Sequence, residues 1–207
     1  MNPPRTITEI RRALLAHEPD TEPSLSAPKR AAVAMILRND RQLGLEILFI
    51  QRAINPLDPW SGHMALPGGH VDPDDESIEA AARRETLEEV GLQLSEKMKM
   101  GRLSDLSGGR LKFSGLSVSP FVFHYSGPAE LQLSDEVADA VWVPLDYLSD
   151  SANVKPYVYH LDPARRNFPS FQYNGYTIWG LTYRMLGQFL ELFDVNLPGE
   201  DILSEVE

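Results

Sequence analysis

The stretch Arg84-Glu85-Thr86-Leu87-Glu88-Glu89-Val90-Gly91-Leu92 constrains the fold more than any other part of the chain. Ala80, Ala81, Ala82 and Leu87 favour a helix, and Gly91 suits the position just past its end. On such a helix, residues three and four apart share a face, with Cβ atoms about 5–6 Å apart. Glu85, Glu88 and Glu89 therefore project together. Three like charges on one stripe destabilise a helix unless something positive lies among them. Arg84 can pair with one carboxylate; it cannot neutralise three.

The same sign prevails upstream. Asp72, Asp74, Asp75, Glu76 and Glu79 precede the stripe, with only Arg83 and Arg84 to balance them. Asp72-Pro73 supplies a cap and a first-turn proline, and acidic residues complement the dipole at a helix start. A solvated helix face explains such a cluster when it stands alone. A hard divalent cation also explains it, because magnesium and manganese prefer carboxylate oxygens and keep waters that phosphate oxygens can replace. Leu66-Pro67-Gly68-Gly69, just upstream, favours the cation: a glycine pair lets backbone approach a ligand closely.

The rest of the chain reads as one mixed α/β domain. Thr6 to His17 has the spacing of an amphipathic helix, followed by a polar connector from Glu18 to Pro28. Ala31–Leu37 and Leu45–Ile50 are short apolar runs separated by polar residues, hence a hairpin of two strands. Asn55 to Gly69 is rich in proline and glycine and reads as a loop. Strands are predicted at Val118–Tyr125 and Ala140–Val143, and a further hairpin turns at Asn174-Gly175. Gly180 to Phe193 is a second clear helix. Strands, helix, strands, helix suggest a sheet between helices, with residues 1–28 as helix and connector and 29–207 as a single domain.

Composition narrows the function. The 207 residues, 43% hydrophobic, suffice for one sizeable core. With no cysteine, disulfides, thiol nucleophiles and zinc-thiolate sites are excluded. A formal net charge of −11 disfavours nucleic acid as a partner. No apolar run approaches the roughly 20 residues needed to span a bilayer, and Met1 to Ile10 lacks a signal-peptide core, so a cytoplasmic protein without membrane partners is expected.

The acidic segment resembles the Nudix box, G-x5-E-x7-R-E-U-x-E-E-x-G-U, where U is aliphatic. Arg84, Glu85, Glu88, Glu89, Gly91 and Leu92 fall on its positions, and Glu76 falls on its first glutamate. Thr86 stands where the box has an aliphatic residue. The box glycine, counted back from Arg84, lands on His70, so Gly69 implies a loop one residue longer. The resemblance implies the Nudix fold, a mixed β-sheet sandwiched between helices. It implies a hydrolase that uses Mg2+ or Mn2+ to split a diphosphate. Glu88 and Glu89 are then principal metal ligands, with Glu85 a further ligand or the base that activates water. Arg84 orients a catalytic glutamate, and a carbonyl of the Gly68-Gly69 turn completes the metal shell. Glu136, shortly before Trp142-Val143, matches the glutamate many members add from outside the box; a carboxylate at a strand entrance would look the same.

For the substrate, Arg52-Ala53 and Gly62-His63-Met64-Ala65-Leu66-Pro67-Gly68-Gly69 resemble the coenzyme A diphosphatase branch, as does Trp179-Gly180-Leu181-Thr182. That branch cuts coenzyme A to 4'-phosphopantetheine and 3',5'-ADP. It has a second arginine where this chain has Leu57, a departure that leaves ADP-ribose, dinucleotides and nucleotide sugars as alternatives. Arg52, His63, Gly68 and Gly69 are the expected substrate-binding residues. Trp60 and His63 are open to contact with a base, whereas Tyr173, Tyr176 and Trp179 are expected in the core. A non-catalytic nucleotide-sensing module is the reading from another class, but such modules usually lose the box carboxylates retained here. The expected partner is a small nucleotide derivative; a homodimer is compatible with this reading.

Overall fold

A computed structural model describes residues 3–4, 6–21, 29–58, 60–107, 115–128, 130–161 and 164–199. The two apolar runs form strands β1 (Lys29–Asp40) and β2 (Gly44–Arg52), paired antiparallel from Leu37↔Ile47 to Asp40↔Gly44. The Asp40 carboxylate closes their turn by accepting from the N–H groups of Gln42 and Leu43 at 2.8 and 2.9 Å.

Their near-continuous hydrophobicity has a simple cause: both faces of the sheet are covered. Ala32, Ala34, Ile36, Leu48 and Ile50 point to one side and meet Ala81, Ala82 and Val90 of helix α2 (Ile78–Val90). Met35, Leu37, Leu45, Ile47 and Phe49 point to the other side. There they meet Ile10 and Leu14 of α1 (Ile7–Ala16), Leu145 and Leu148 of α3 (Leu145–Ser149), and Leu186 and Phe189 of α4 (Gly180–Glu191). Each fully buried Leu, Ile or Phe contributes about 1.5–3 kcal/mol, so loss of either helical layer would expose one whole sheet face. The expected sheet between helices is what forms.

The eight-stranded main sheet is mixed. Strand β3 (Met64–Ala65) pairs with β2, and β4 (Gly68–His70) pairs antiparallel with β1. Both lie in or beside the stretch expected as loop. Strands β5 (Lys99–Arg102) and β6 (Leu106–Ser107) pair with β7 (Leu116–His124), and β8 (Val137–Pro144) pairs with β2. Strand β7 runs parallel to β1. A parallel pair needs a long crossover, and the chain through α2 supplies it. A separate three-stranded antiparallel sheet holds β9 (Val154–Leu161), β10 (Ala164–Tyr173) and β11 (Tyr176–Trp179). Its β10–β11 turn is the expected Asn174-Gly175, both at positive φ.

The N-terminal helix begins at a capping box: Thr6 accepts from the Glu9 N–H, and the Glu9 carboxylate accepts from the Thr6 N–H. Ile10 and Leu14 are buried in the main core, so this helix packs with the region expected to begin at residue 29. Residues 22–28 of the expected connector lie outside the described residues. Among the described residues, no helix is long and apolar enough to cross a membrane.

Candidate active site

Helix α2 starts later than the sequence suggests. Asp72-Pro73 does not cap it; Ser77 does, its hydroxyl accepting from the Ala80 N–H at 3.1 Å. The reason lies in Asp75. Its carboxylate accepts from the Asp72 N–H at 2.8 Å and from Arg84, which holds residues 72–75 as a turn rather than a first helical turn. At the other end Gly91, at φ 71°, donates its N–H to the Leu87 carbonyl, as expected of a glycine past a helix end. Thr86 is fully buried, yet its hydroxyl is satisfied by the Ala82 carbonyl at 2.7 Å. The polar residue at that aliphatic position therefore costs little.

The three glutamates share a stripe, but their environments are graded. Glu89 is 3% exposed and accepts from the Gly68 N–H at 2.8 Å. Burial, together with the nearby Glu85 and Glu136 carboxylates, pushes its pKa up to about 8, against the opposing pull of the Gly68 N–H and of Arg52. Glu85 is half-buried, and its pKa is also raised, first by burial and then by Glu88 and Glu136, despite Arg84. Glu88 keeps 59% of its side chain exposed and reaches Arg84 Nη1 at 3.2 Å. Glu136, just ahead of β8, is exposed and close enough to act on both Glu85 and Glu89. The structure therefore brings Glu85, Glu88, Glu89 and Glu136 to one place.

Arg84 does more than pair with one carboxylate. It meets Asp75 through Nε and Nη2, Glu85 through Nη1 at 3.0 Å, Glu88 through Nη1, and donates to the His70 carbonyl at 3.1 Å. It is the hub joining loop to helix. The acidic residue that pins it is Asp75, with 6% of its side chain exposed, whereas Glu76 is exposed. Counting back from Arg84 assigns this position to Glu76, and the structure corrects that assignment. Counting forward from Gly69 by the box's own G-x5 interval reaches Asp75, a signal the sequence does contain.

The glycine pair is explained by close approach. Gly68 sits at φ 147°, and a Cβ there would run into the Ala32 carbonyl and Val33 of β1. A Cβ on Gly69 would lie 2.5 Å from the Glu85 carboxyl group. The turn therefore presses its backbone against both the sheet and the carboxylates, as only glycine allows.

Arg52, the last residue of β2, acts on Glu89, and His63, in the loop before β3, lies near Arg52. Arg52 Nε is held by Asp58 Oδ2 at 2.6 Å, a partner not foreseen from the sequence. The Arg52 N–H donates to the His63 carbonyl at 3.0 Å, and the Ala53 N–H to the Glu136 carbonyl at 2.8 Å, tying the end of β2 and its loop to the entrance of β8. Burial pushes the His63 imidazole below its ordinary pKa, so it is neutral near pH 7. Leu57, where the branch pattern has arginine, is 92% exposed.

A metal fits this donor set. Only oxygens are offered, and burial plus mutual repulsion raise Glu85 and Glu89, a penalty that a hard cation relieves. Among the described residues no three such groups stand at metal-ligand spacing, and the carboxylates are instead engaged by Arg84 and the Gly68 N–H.

The family model of the NUDIX domain matches residues 28–162. The chain belongs to the Nudix family. The uncharacterized Nudix hydrolase NudL of Photorhabdus laumondii is 35% identical over 156 residues, covering 72% of this chain and 78% of that one. An uncharacterized protein of Schizosaccharomyces pombe is 36% identical over 131 residues, covering 60% of this chain. That match spans only 40% of the yeast protein's length. The solved MutT/nudix family protein from Enterococcus faecalis shares the fold, with TM-score 0.56 over 91% of this chain and 70% of that chain, at 18% identity. The Nudix match ends at residue 162, so β10, β11 and α4 lie beyond it, while β9 lies within it.

Proposed function

We propose that this Nudix protein is a divalent-metal-dependent hydrolase of a nucleoside diphosphate derivative, with coenzyme A or acyl-coenzyme A as the leading substrate. The observation that carries this reading is the convergence of four carboxylates on a glycine turn. Glu89 is bonded to Gly68, Glu85 lies against Gly69, Glu88 is joined to them through Arg84, and Glu136 faces the group. Glu85, Glu88, Glu89 and Glu136, with the Gly69 carbonyl, are the residues that would hold Mg2+ or Mn2+. Such an ion, when bound, neutralises diphosphate charge and acidifies a water.

The chain's own residues have distinct tasks in this scheme. Arg84, pinned by Asp75, fixes the rotamer of Glu85, the carboxylate proposed to take a proton from the attacking water. The Gly68 N–H fixes Glu89. Arg52, held by Asp58, is the guanidinium proposed to meet a substrate phosphate oxygen, and His63 lines the same approach.

The coenzyme A assignment rests on Arg52-Ala53 and on the loop from Gly62 to Gly69. The second reading, a hydrolase of ADP-ribose, a dinucleotide or a nucleotide sugar, is favoured by Leu57, which offers an exposed aliphatic side chain where a second arginine would serve a phosphate. Turnover of coenzyme A, ADP-ribose and NADH by the purified protein with magnesium or manganese separates the two. Preference for coenzyme A is expected, and preference for ADP-ribose would overturn that assignment while leaving the hydrolase reading intact.

A further inference from the structure

Four aromatic side chains gather on the three-stranded sheet, two on β9 at the end of the matched Nudix region and two beyond it, and a fifth ring, His63, joins them from the β2–β3 loop. The Trp179 ring lies 4.7 Å from Tyr159, 4.8 Å from Tyr157, 5.3 Å from Phe168 and 5.0 Å from His63, centroid to centroid. His63 also stands edge-on to Tyr159 at 6.0 Å. All five are half-buried, and Trp179, Tyr157, Tyr159 and Phe168 belong to neither of the two cores described above. Trp179, expected in the core, is thus a partly open ring surface. Tyr173 and Tyr176, also expected there, do pack against the core.

This cluster adjoins Arg52 and the residues beside Glu136. His63 accepts the Arg52 N–H through its carbonyl, and Arg52 pairs in register with Val137, next to Glu136. The second sheet and the helix α4 that follows it are both tied to the first sheet. Thr182 Oγ1, three residues past Trp179, donates to the Met64 carbonyl at 3.1 Å, and the Tyr176 hydroxyl donates to Asp139 at 2.6 Å. The rings therefore stand beside the groups proposed to take the phosphates. Partly exposed π faces bind a flat heteroaromatic ring by stacking, which needs no charge, so it works in a protein of net charge −11. His63, neutral from burial, adds a donor and an acceptor at the edge.

We propose that Trp179, Tyr159, Tyr157 and Phe168, edged by His63, form the subsite that holds the adenine ring of the substrate. The proposal rests on the reading of the neighbouring site as one for a nucleoside diphosphate derivative, and it assigns substrate specificity to the three-stranded sheet.

The test compares binding of 5'-AMP and ribose 5-phosphate, which share the sugar phosphate and differ in the base, by titration calorimetry. The wild type should bind 5'-AMP well and ribose 5-phosphate at least about tenfold more weakly. Trp179→Ala and Tyr159→Ala should each weaken 5'-AMP by about tenfold and raise KM for coenzyme A with kcat nearly unchanged, while Trp179→Phe restores most of the affinity. Tyr159→Ala, on a surface strand, keeps the test valid if Trp179→Ala fails to fold. Equal binding of the two probes, or unaltered 5'-AMP affinity in Tyr159→Ala, would overturn the subsite. So would 4'-phosphopantetheine binding that depends on Trp179 when 5'-AMP binding does not. If no diphosphate is hydrolysed yet 5'-AMP still requires these rings, the subsite stands and the hydrolase reading falls. If coenzyme A is hydrolysed with an unmoved KM in both alanine variants, the hydrolase reading stands and the subsite falls.

Discussion

Arg84 and Asp75 form a two-pronged ion pair, Nε to Oδ1 and Nη2 to Oδ2, each at 3.0 Å. The pair links the loop after the glycine turn to the helix that carries the glutamates. Asp75 reaches no carboxylate of the stripe itself, so its influence must pass through the guanidinium, which also holds Glu85. Asp75→Asn is accordingly expected to lower kcat by about 10–100-fold with a smaller change in KM, the range typical when a partner of a metal ligand is lost. Glu76→Gln, on an exposed neighbour, should leave turnover unchanged. Steady-state kinetics of the two variants decide between the two registers of the box.

The same pair has an acid signature. Hydrogen bonds from Arg84 hold the Asp75 carboxyl below the usual carboxylate range. A carboxyl depressed in the folded state adds stability that is fully present above its unfolded value, about pH 4, and is lost as pH falls through the lower folded value. Melting temperatures of wild type and Asp75→Asn should therefore differ by a constant amount from pH 7 to 5 and converge below pH 4. A gap that persists at the acid end would contradict the pairing.

The two glycines should respond differently to alanine. At Gly69 the new Cβ meets a side-chain carboxyl, which can swing away, so Gly69→Ala should fold but displace Glu85 and lose most activity. At Gly68 the obstacle is the β1 backbone and the φ is 147°, so Gly68→Ala should lower the melting temperature as well. Thermal melts beside turnover of both variants check this. Equal melting temperatures would contradict it.

What can be read from the sequence, and what cannot, follows from the range of the interactions involved. The β1–β2 hairpin, α2 and the Glu85, Glu88, Glu89 stripe are local patterns, so spacing alone exposes them. The interval from Gly69 reaches Asp75, but the role of Asp75 depends on a loop conformation set by Arg84, nine residues away, which spacing alone does not expose. Asp58 escapes notice because a loop aspartate has no periodicity to mark it. Strand β9 is hidden by Pro156, which pairs with Pro169 of β10 where neither can donate to the ladder. The ring cluster joins residues 63 and 179, and only the folded chain brings those together.

Asp58 offers a further check. It holds Arg52 at 2.6 Å, so Asp58→Asn should raise KM several-fold by loosening the guanidinium, and Arg52→Ala should raise it more. Since both act through one group, the double variant should resemble Arg52→Ala alone. Additive effects in this double-mutant cycle would show that the two residues act separately.

The central claim is that the buried Glu89 carboxylate serves a bound cation in hydrolysis, and Glu89→Gln tests it most directly. The amide oxygen can still accept from the Gly68 N–H, and the group no longer has either to bury a charge or to take up a proton, so the fold should be at least as stable without metal. Turnover of coenzyme A and ADP-ribose with magnesium or manganese should fall by at least about 100-fold on both substrates. Wild-type turnover in the folded Glu89→Gln protein would contradict the account.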